Sequence, residues 1–94
     1  MQKKHLNITV QGRVQGVSYR YTTKAVADQL GVRGFIKNNP DGSVYLEAEA
    51  DEWNMQLFLD WCNDGPTGAI VSSITTDEAD FKNYRNFEIV KRNL

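Results

Sequence analysis

Side chains that bind metals or carry redox chemistry are almost missing from this chain of 94 residues, which has one cysteine, Cys62, and one histidine, His5. A lone cysteine cannot close an internal disulfide, and no Cys/His set has the spacing that holds zinc. No resident metal and no cofactor are therefore expected, although a magnesium ion carried in by a substrate would need no such ligands. Long apolar runs are also missing. The first apolar stretch, HLNITV, is far too short to span a bilayer, and no signal-peptide hydrophobic region precedes it. The expectation is a soluble, cytoplasmic chain with no membrane partner. Internal repeats, linkers and low-complexity segments are absent, and 94 residues, 40% of them hydrophobic, leave room for one domain over 1–94 with one core.

Acid is missing from one stretch in particular. Residues 1–27 contain Lys3, Lys4, Arg13, Arg20 and Lys24 and no carboxylate; the first is Asp28. Against a formal net charge of -1, this one-sidedness points to a local anion-attracting region. The chain as a whole is too acidic to be a general nucleic-acid binder. Lys3 and Lys4, near the terminus, read as solvated.

What is present is a run of short periodic segments. LNITVQG alternates around Leu6, Ile8 and Val10, a half-buried strand that Gly12 is expected to stop. SYRYTTKAVADQLG reads as a helix with Val26 and Leu30 four apart and Gly31 as its C-terminal stop. VRGFIKN and SVYLEAEA are strands joined by NPDG, with Val44, Leu46, Ala48 and Ala50 on one face. DEWNMQLFLDWCNDG is a second helix, acidic at its N-terminus, with Leu57, Phe58, Trp61 and Cys62 assigned to its apolar stripe. AIVSSITT supplies a fourth strand. The order is β-α-β-β-α-β, an α+β ferredoxin-like sandwich with two helices on one face of an antiparallel sheet of four strands, or five if NFEIV pairs.

In this topology the first two strands run parallel, so their ends share one edge of the domain. Arg20, Asn38 and the turn NNPDG then sit together. The stretch GRVQGVSYR, Gly12 to Arg20, feeds the first helix there. A helix N-terminus carries partial positive charge, so a first-turn arginine is locally unfavourable by about 0.3–1 kcal/mol. An anion would reverse that sign: backbone amides from Gln15 to Tyr19, with the Arg20 guanidinium, could surround a phosphate. By itself the loop fits equally a plain strand-to-helix connection with Arg20 in solvent. Ser18 reads as a helix cap or a loop wall. Asn38 alone reads as the residue that starts the turn.

Better-known phosphate loops are excluded. There is no Gly-Lys-Ser/Thr at a helix start and no three-glycine dinucleotide fingerprint. Val14 stands where a C-x5-R phosphatase loop would need cysteine, and no histidine or carboxylate lies near Ser18 in sequence to activate it. Water is left as the nucleophile.

GRVQGVSYR, then GVRGFIKNNPDGSV, WCNDGP and the closing NFEIV resemble acylphosphatase, whose pattern is G-x-V-Q-G-V-x-[FY]-R followed by G-[WYF]-[VA]-x-N-x-x-[DN]-G. The likeness covers almost the whole chain. It implies a phosphate cradle formed by Gln15, Gly16, Val17, Ser18, Tyr19 and Arg20, with Arg20 as the phosphate-binding catalytic arginine. It also implies that Asn38 orients the attacking water in a metal-free hydrolysis of a carboxyl-phosphate bond. The departures are Phe35-Ile36 for the usual Trp-Val pair, Ser18 at a position often Gly or Cys, and Ala50 where glycine is common.

The residues are consistent with that chemistry. With no histidine and no paired carboxylates in the site, nothing is available to protonate an alcohol leaving group, whereas an acyl phosphate expels a carboxylate whose conjugate acid has a pKa of about 4. The partners expected are a small acyl phosphate as substrate and inorganic phosphate as product or inhibitor, acting on a monomer. Two other readings compete. RNA-recognition domains share the topology, but here Tyr45 stands alone between carboxylates, so no nucleic-acid partner is expected. A non-catalytic phosphate-binding or small-ligand domain of the same fold is the alternative. Domains of this kind also begin larger carbamoyl-transfer maturation proteins; without their zinc-finger region, a free-standing enzyme is expected.

Overall fold

The alternating segment around Leu6, Ile8 and Val10 is the middle of a long first strand, β1 (Lys3–Arg13), in the computed structural model, which describes residues 2–91. Residue 1 and residues 92–94, the ends of the domain expected over 1–94, lie outside the described residues. The chain continues as α1 (Tyr19–Leu30), β2 (Arg33–Asn38), β3 (Val44–Asp51), α2 (Glu52–Asp64), β4 (Ile70–Ala79) and β5 (Phe87–Val90). The strands form one sheet in the order β4-β1-β3-β2-β5, with both helices on one face. NFEIV does pair: β5 joins the edge beside β2, and this one pair is parallel, so the sheet is five-stranded and mixed.

The inner face follows the period-two pattern. Ile8 and Val10 of β1, Ile36 of β2 and Val44, Leu46, Ala48 and Ala50 of β3 are buried. Against them α1 packs Tyr19, Thr23 and Ala27, one residue per turn, while Val26 and Leu30 flank that stripe and are partly buried. α2 is capped by the Asp51 side chain, which accepts from Asn54 N–H at 2.9 Å. Its buried stripe is Met55, Phe58 and Cys62. Phe58 meets Phe87 of β5 edge-on at 5.8 Å between ring centroids, which joins the second helix to the last strand. Burying one such side chain is worth about 1.5–3 kcal/mol.

Two expectations fail in detail. Leu57 is 40% exposed: it sits about 100° round the helix from Phe58, off the line of Met55, Phe58 and Cys62. Trp61 does pack against the core, half-buried, and donates its indole N–H to Thr23 Oγ1 at 3.1 Å, bridging the helices. Nor does Gly12 stop β1. The strand runs through it to Arg13, with a bulge between Gln11 and Gly12 that shifts the register against β4. At Gly12 φ is 127°, and a Cβ would stand 2.1 Å from the Ile70 carbonyl oxygen, so only glycine fits this close approach.

On the opposite face, at the far end of the sheet, lies a buried polar cluster. His5 Nδ1 is 2.7 Å from Glu49 Oε2, and its Nε2 is 2.9 Å from Asn7 Oδ1 and 3.2 Å from Glu47 Oε1. Glu49 also accepts from the backbone N–H groups of Lys82 and Tyr84, so it holds down the segment that leads from β4 into β5.

Candidate active site

β1 and β2 both run antiparallel to β3, and Val10 and Asn38 both register on Val44, one from each side. The ends of the two strands therefore emerge side by side, as the topology required. A cleft of about 290 Å³ opens between them. Gln15, Gly16, Ser18, Tyr19, Arg20 and Asn38 all line it. Of the expected cradle residues only Val17 is turned away: its side chain packs on the core and reaches toward Gly68. Val14 and Tyr21 also face the cleft, and neither was singled out for that role from the sequence. The exposed aromatic next to Arg20 in the helix was the available signal for Tyr21.

The loop is shaped by two left-handed residues. Gly16 has φ 74° with no atom within 4 Å of where a Cβ would be, so its conformation rather than crowding calls for glycine. Ser18, at the N-cap position, has φ 60° and ψ 26°, and its side chain makes no capping bond. It is thus a cap by position only. The first turn of α1 contains no acid, and its second residue is Arg20. Positive helix end and guanidinium meet with no acid in that turn to offset them.

Beneath the loop, Tyr19 is buried and its hydroxyl donates to the Cys62 carbonyl, which pins the start of α1 to the end of α2. Burial drives the Tyr19 phenol well above its usual range. The Cys62 thiol is likewise pushed up to about 12 by burial, so it is neutral and unreactive at physiological pH. Arg20 Nη1 donates to the Val90 carbonyl at the end of β5, 3.2 Å away. Gln15 Nε2 donates to the carbonyls of Asn39 and Ser43, each at 2.8 Å. The turn closes through Asn39 N–H to the Ser43 carbonyl at 2.9 Å, and Ser43 N–H and Oγ–H both donate to Asp41 Oδ1. These two hydrogen bonds, with Ser43 as first cause, hold the Asp41 carboxyl below its ordinary value.

Asn38 stands apart. Among the described residues its Oδ1 is the buried side-chain polar atom without a hydrogen-bond partner. Such an acceptor would cost about 1–3 kcal/mol if it stayed unpaired, which favours a water or a ligand as its partner. No carboxylate or imidazole belongs to the lining, and among the described residues no group of His, Cys, Asp and Glu side chains is gathered to hold a metal ion. No helix among them is long and apolar enough to cross a membrane.

A mixed sheet with two helices on one face, and at its strand ends a cleft lined by one arginine and one asparagine, define a small α+β domain of the ferredoxin-like class. A family model, acylphosphatase, matches residues 6–89. The chain is 43% identical over 84 residues to the acylphosphatase of Archaeoglobus fulgidus, covering 89% of this chain and 94% of that one. The crystal structure of acylphosphatase from Bacillus subtilis superposes with a TM-score of 0.90 at 33% identity, covering 95% of this chain and 99% of that chain. The structure of full-length HypF in its phosphate- and nucleotide-bound form matches with a TM-score of 0.88 at 28% identity, this chain spanning 12% of it. The chain belongs to the acylphosphatase family. It is a hydrolase of acyl phosphates, and the non-catalytic reading is not favoured.

Proposed function

We propose that the acyl phosphate places its phosphoryl group against the amides of residues 15–20 and the Arg20 guanidinium, with Asn38 holding the attacking water. The observation that carries this reading is that Asn38 lines the same cleft as Arg20 and that no other residue satisfies its buried Oδ1. A carboxamide oxygen accepts one O–H of a water and leaves that water's lone pair free to attack phosphorus in line. Arg20 and the amides meet the charge on the equatorial oxygens, where it concentrates in the transition state. The P–O bond to the acyl group breaks, the carboxylate leaves without a proton, and a phosphoryl oxygen takes the proton of the water.

The same lining supports the choice of substrate. Without an acid to protonate a poor leaving group, simple phosphate esters are turned over slowly, and acyl phosphates are not. Lacking carboxylate or imidazole donors, the cleft works without a divalent ion of its own. Nucleic acid is not its partner: Tyr45, the aromatic that would stack on a base, donates its hydroxyl to Glu47 Oε2 at 2.8 Å. A free buried Cys62 accords with action in the cytoplasm.

Benzoyl phosphate hydrolysis in the presence of chelator tests this. Turnover is expected to be unchanged by the chelator, lost together with phosphate inhibition in Arg20→Ala, and lost with phosphate inhibition retained in Asn38→Ala. Full turnover in Asn38→Ala overturns the water-holding role.

A further inference from the structure

Gln15 lies in the phosphate loop, yet its side chain is turned to the neighbouring turn. A carboxamide NH2 has two hydrogens, and Gln15 spends both, on the Asn39 and Ser43 carbonyls at 2.8 Å each. Its remaining polar atom, Oε1, is an acceptor and would repel a phosphate oxygen. Only the backbone N–H of Gln15 is left to meet the anion.

The two carbonyls it reaches belong to the turn that begins directly after Asn38. The Asn39 carbonyl also accepts from Gly42 N–H at 3.2 Å, and the Ser43 carbonyl from Asn39 N–H at 2.9 Å. Gln15 therefore clamps both ends of the turn onto the loop, across 24 and 28 residues of sequence. The sheet aligns Val10 and Asn38 through Val44, but β1 ends at Arg13 and no ladder reaches the loop beyond it. The Gln15 amide is the side-chain bridge that fixes the cradle relative to the strand end bearing Asn38. We infer that Gln15 is a positioning residue: its side chain sets the distance between the bound phosphoryl group and the water held by Asn38, and does not bind phosphate. This rests on the water-holding reading of Asn38.

The test uses Gln15→Met, which keeps the length of the side chain without its donors, beside Gln15→Ala, Asn38→Ala and the double variant Gln15→Met/Asn38→Ala. Kinetics on benzoyl phosphate are combined with inhibition by inorganic phosphate and thermal unfolding. An error of about 1 Å in placing a reacting group costs up to roughly a hundredfold. Accordingly kcat should fall about tenfold to a hundredfold in Gln15→Met and Gln15→Ala, with KM and phosphate inhibition within about twofold of the parent. In the Asn38→Ala background, Gln15→Met should cost nothing further, because there is no held water left to misplace. Weakened phosphate inhibition would make the side chain a phosphate ligand and overturn the inference. So would losses that multiply in the double variant, or an unchanged kcat accompanied only by a lower unfolding temperature. If Asn38→Ala alone keeps full turnover, the reading of Asn38 falls and this inference with it. If Asn38→Ala is impaired and the losses multiply, only the inference falls.

Discussion

Arg20 and Val90 meet 70 residues apart in sequence, where the guanidinium Nη1 donates to the strand-end carbonyl at 3.2 Å. The arginine is thus held by one corner of its planar fork while the remainder lines the cleft. A lysine has no fork and cannot hold the carbonyl and a phosphate in two fixed directions at once. Arg20→Lys should lower kcat/KM for benzoyl phosphate by about a hundredfold or more, with phosphate inhibition weakened in parallel. Steady-state kinetics with phosphate as inhibitor check both.

Asn38→Ala should separate activity from stability. Asn38 Oδ1 accepts no hydrogen bond from another residue, so truncating the side chain breaks no hydrogen bond at that oxygen within the protein. The variant should stay within about 1 kcal/mol of the parent in stability, while turnover collapses. Calorimetry run beside the assay decides. A large fall in unfolding temperature would mean that Asn38 supports the fold.

Ser18→Gly is expected to stabilise. Holding an L-residue in the left-handed region costs roughly 1–2 kcal/mol, and glycine gives back about 0.4–1 kcal/mol through the freer unfolded chain. With no capping bond to lose, the net gain should be about 0.5–1 kcal/mol. Ser18→Val, with a branched Cβ at φ 60°, should go the other way. Denaturant unfolding of the two variants gives opposite shifts if the strain is real.

Acid should unfold the protein partly through Glu47 and Glu49. Burial pushes the Glu49 carboxyl up, but hydrogen bonds from His5 and from Lys82 and Tyr84 N–H more than offset it and leave it below the ordinary value. Glu47 is held low in the same way, burial being outweighed by the hydroxyls of Tyr84 and Tyr45 and the charge of His5. Groups lowered in the folded state contribute stability that is complete above the unfolded carboxylate value of about 4.3 and is lost as pH falls through their folded values. Glu49→Gln should cost about 3 kcal/mol or more at neutral pH and flatten the acid limb of the stability curve. Urea unfolding between pH 3 and pH 7 reads both effects.

Much of the site was legible because its signals are local. The acid-free first 27 residues, an arginine in a helix's first turn and the spacing of GRVQGVSYR against GVRGFIKNNPDGSV depend on no distant contact. Topology then carried Arg20 and Asn38 to one edge, because β1 and β2 must be parallel if each pairs antiparallel with β3. The apolar stripe of α2 was less legible. Leu57 and Met55 are similar in hydrophobicity, and only the direction from which the sheet meets the helix exposes one and buries the other.

By itself the sequence determined the order of elements, through periodicity, turn chemistry and glycine placement, and the family, through the spacing of its motifs, since these signals lie within a few residues of one another. Only the tertiary structure decided what the side chains of the site do. That Gln15 grips Asn39 and Ser43, that Arg20 leans on Val90, and that Asn38 Oδ1 is left unpaired all depend on sheet register and on the bulge at Gly12. Hydrogen bonds reach about 3 Å, and whether a donor 24 or 70 residues away arrives within that distance is settled by how strands pair, not by which residues stand next to each other in the chain.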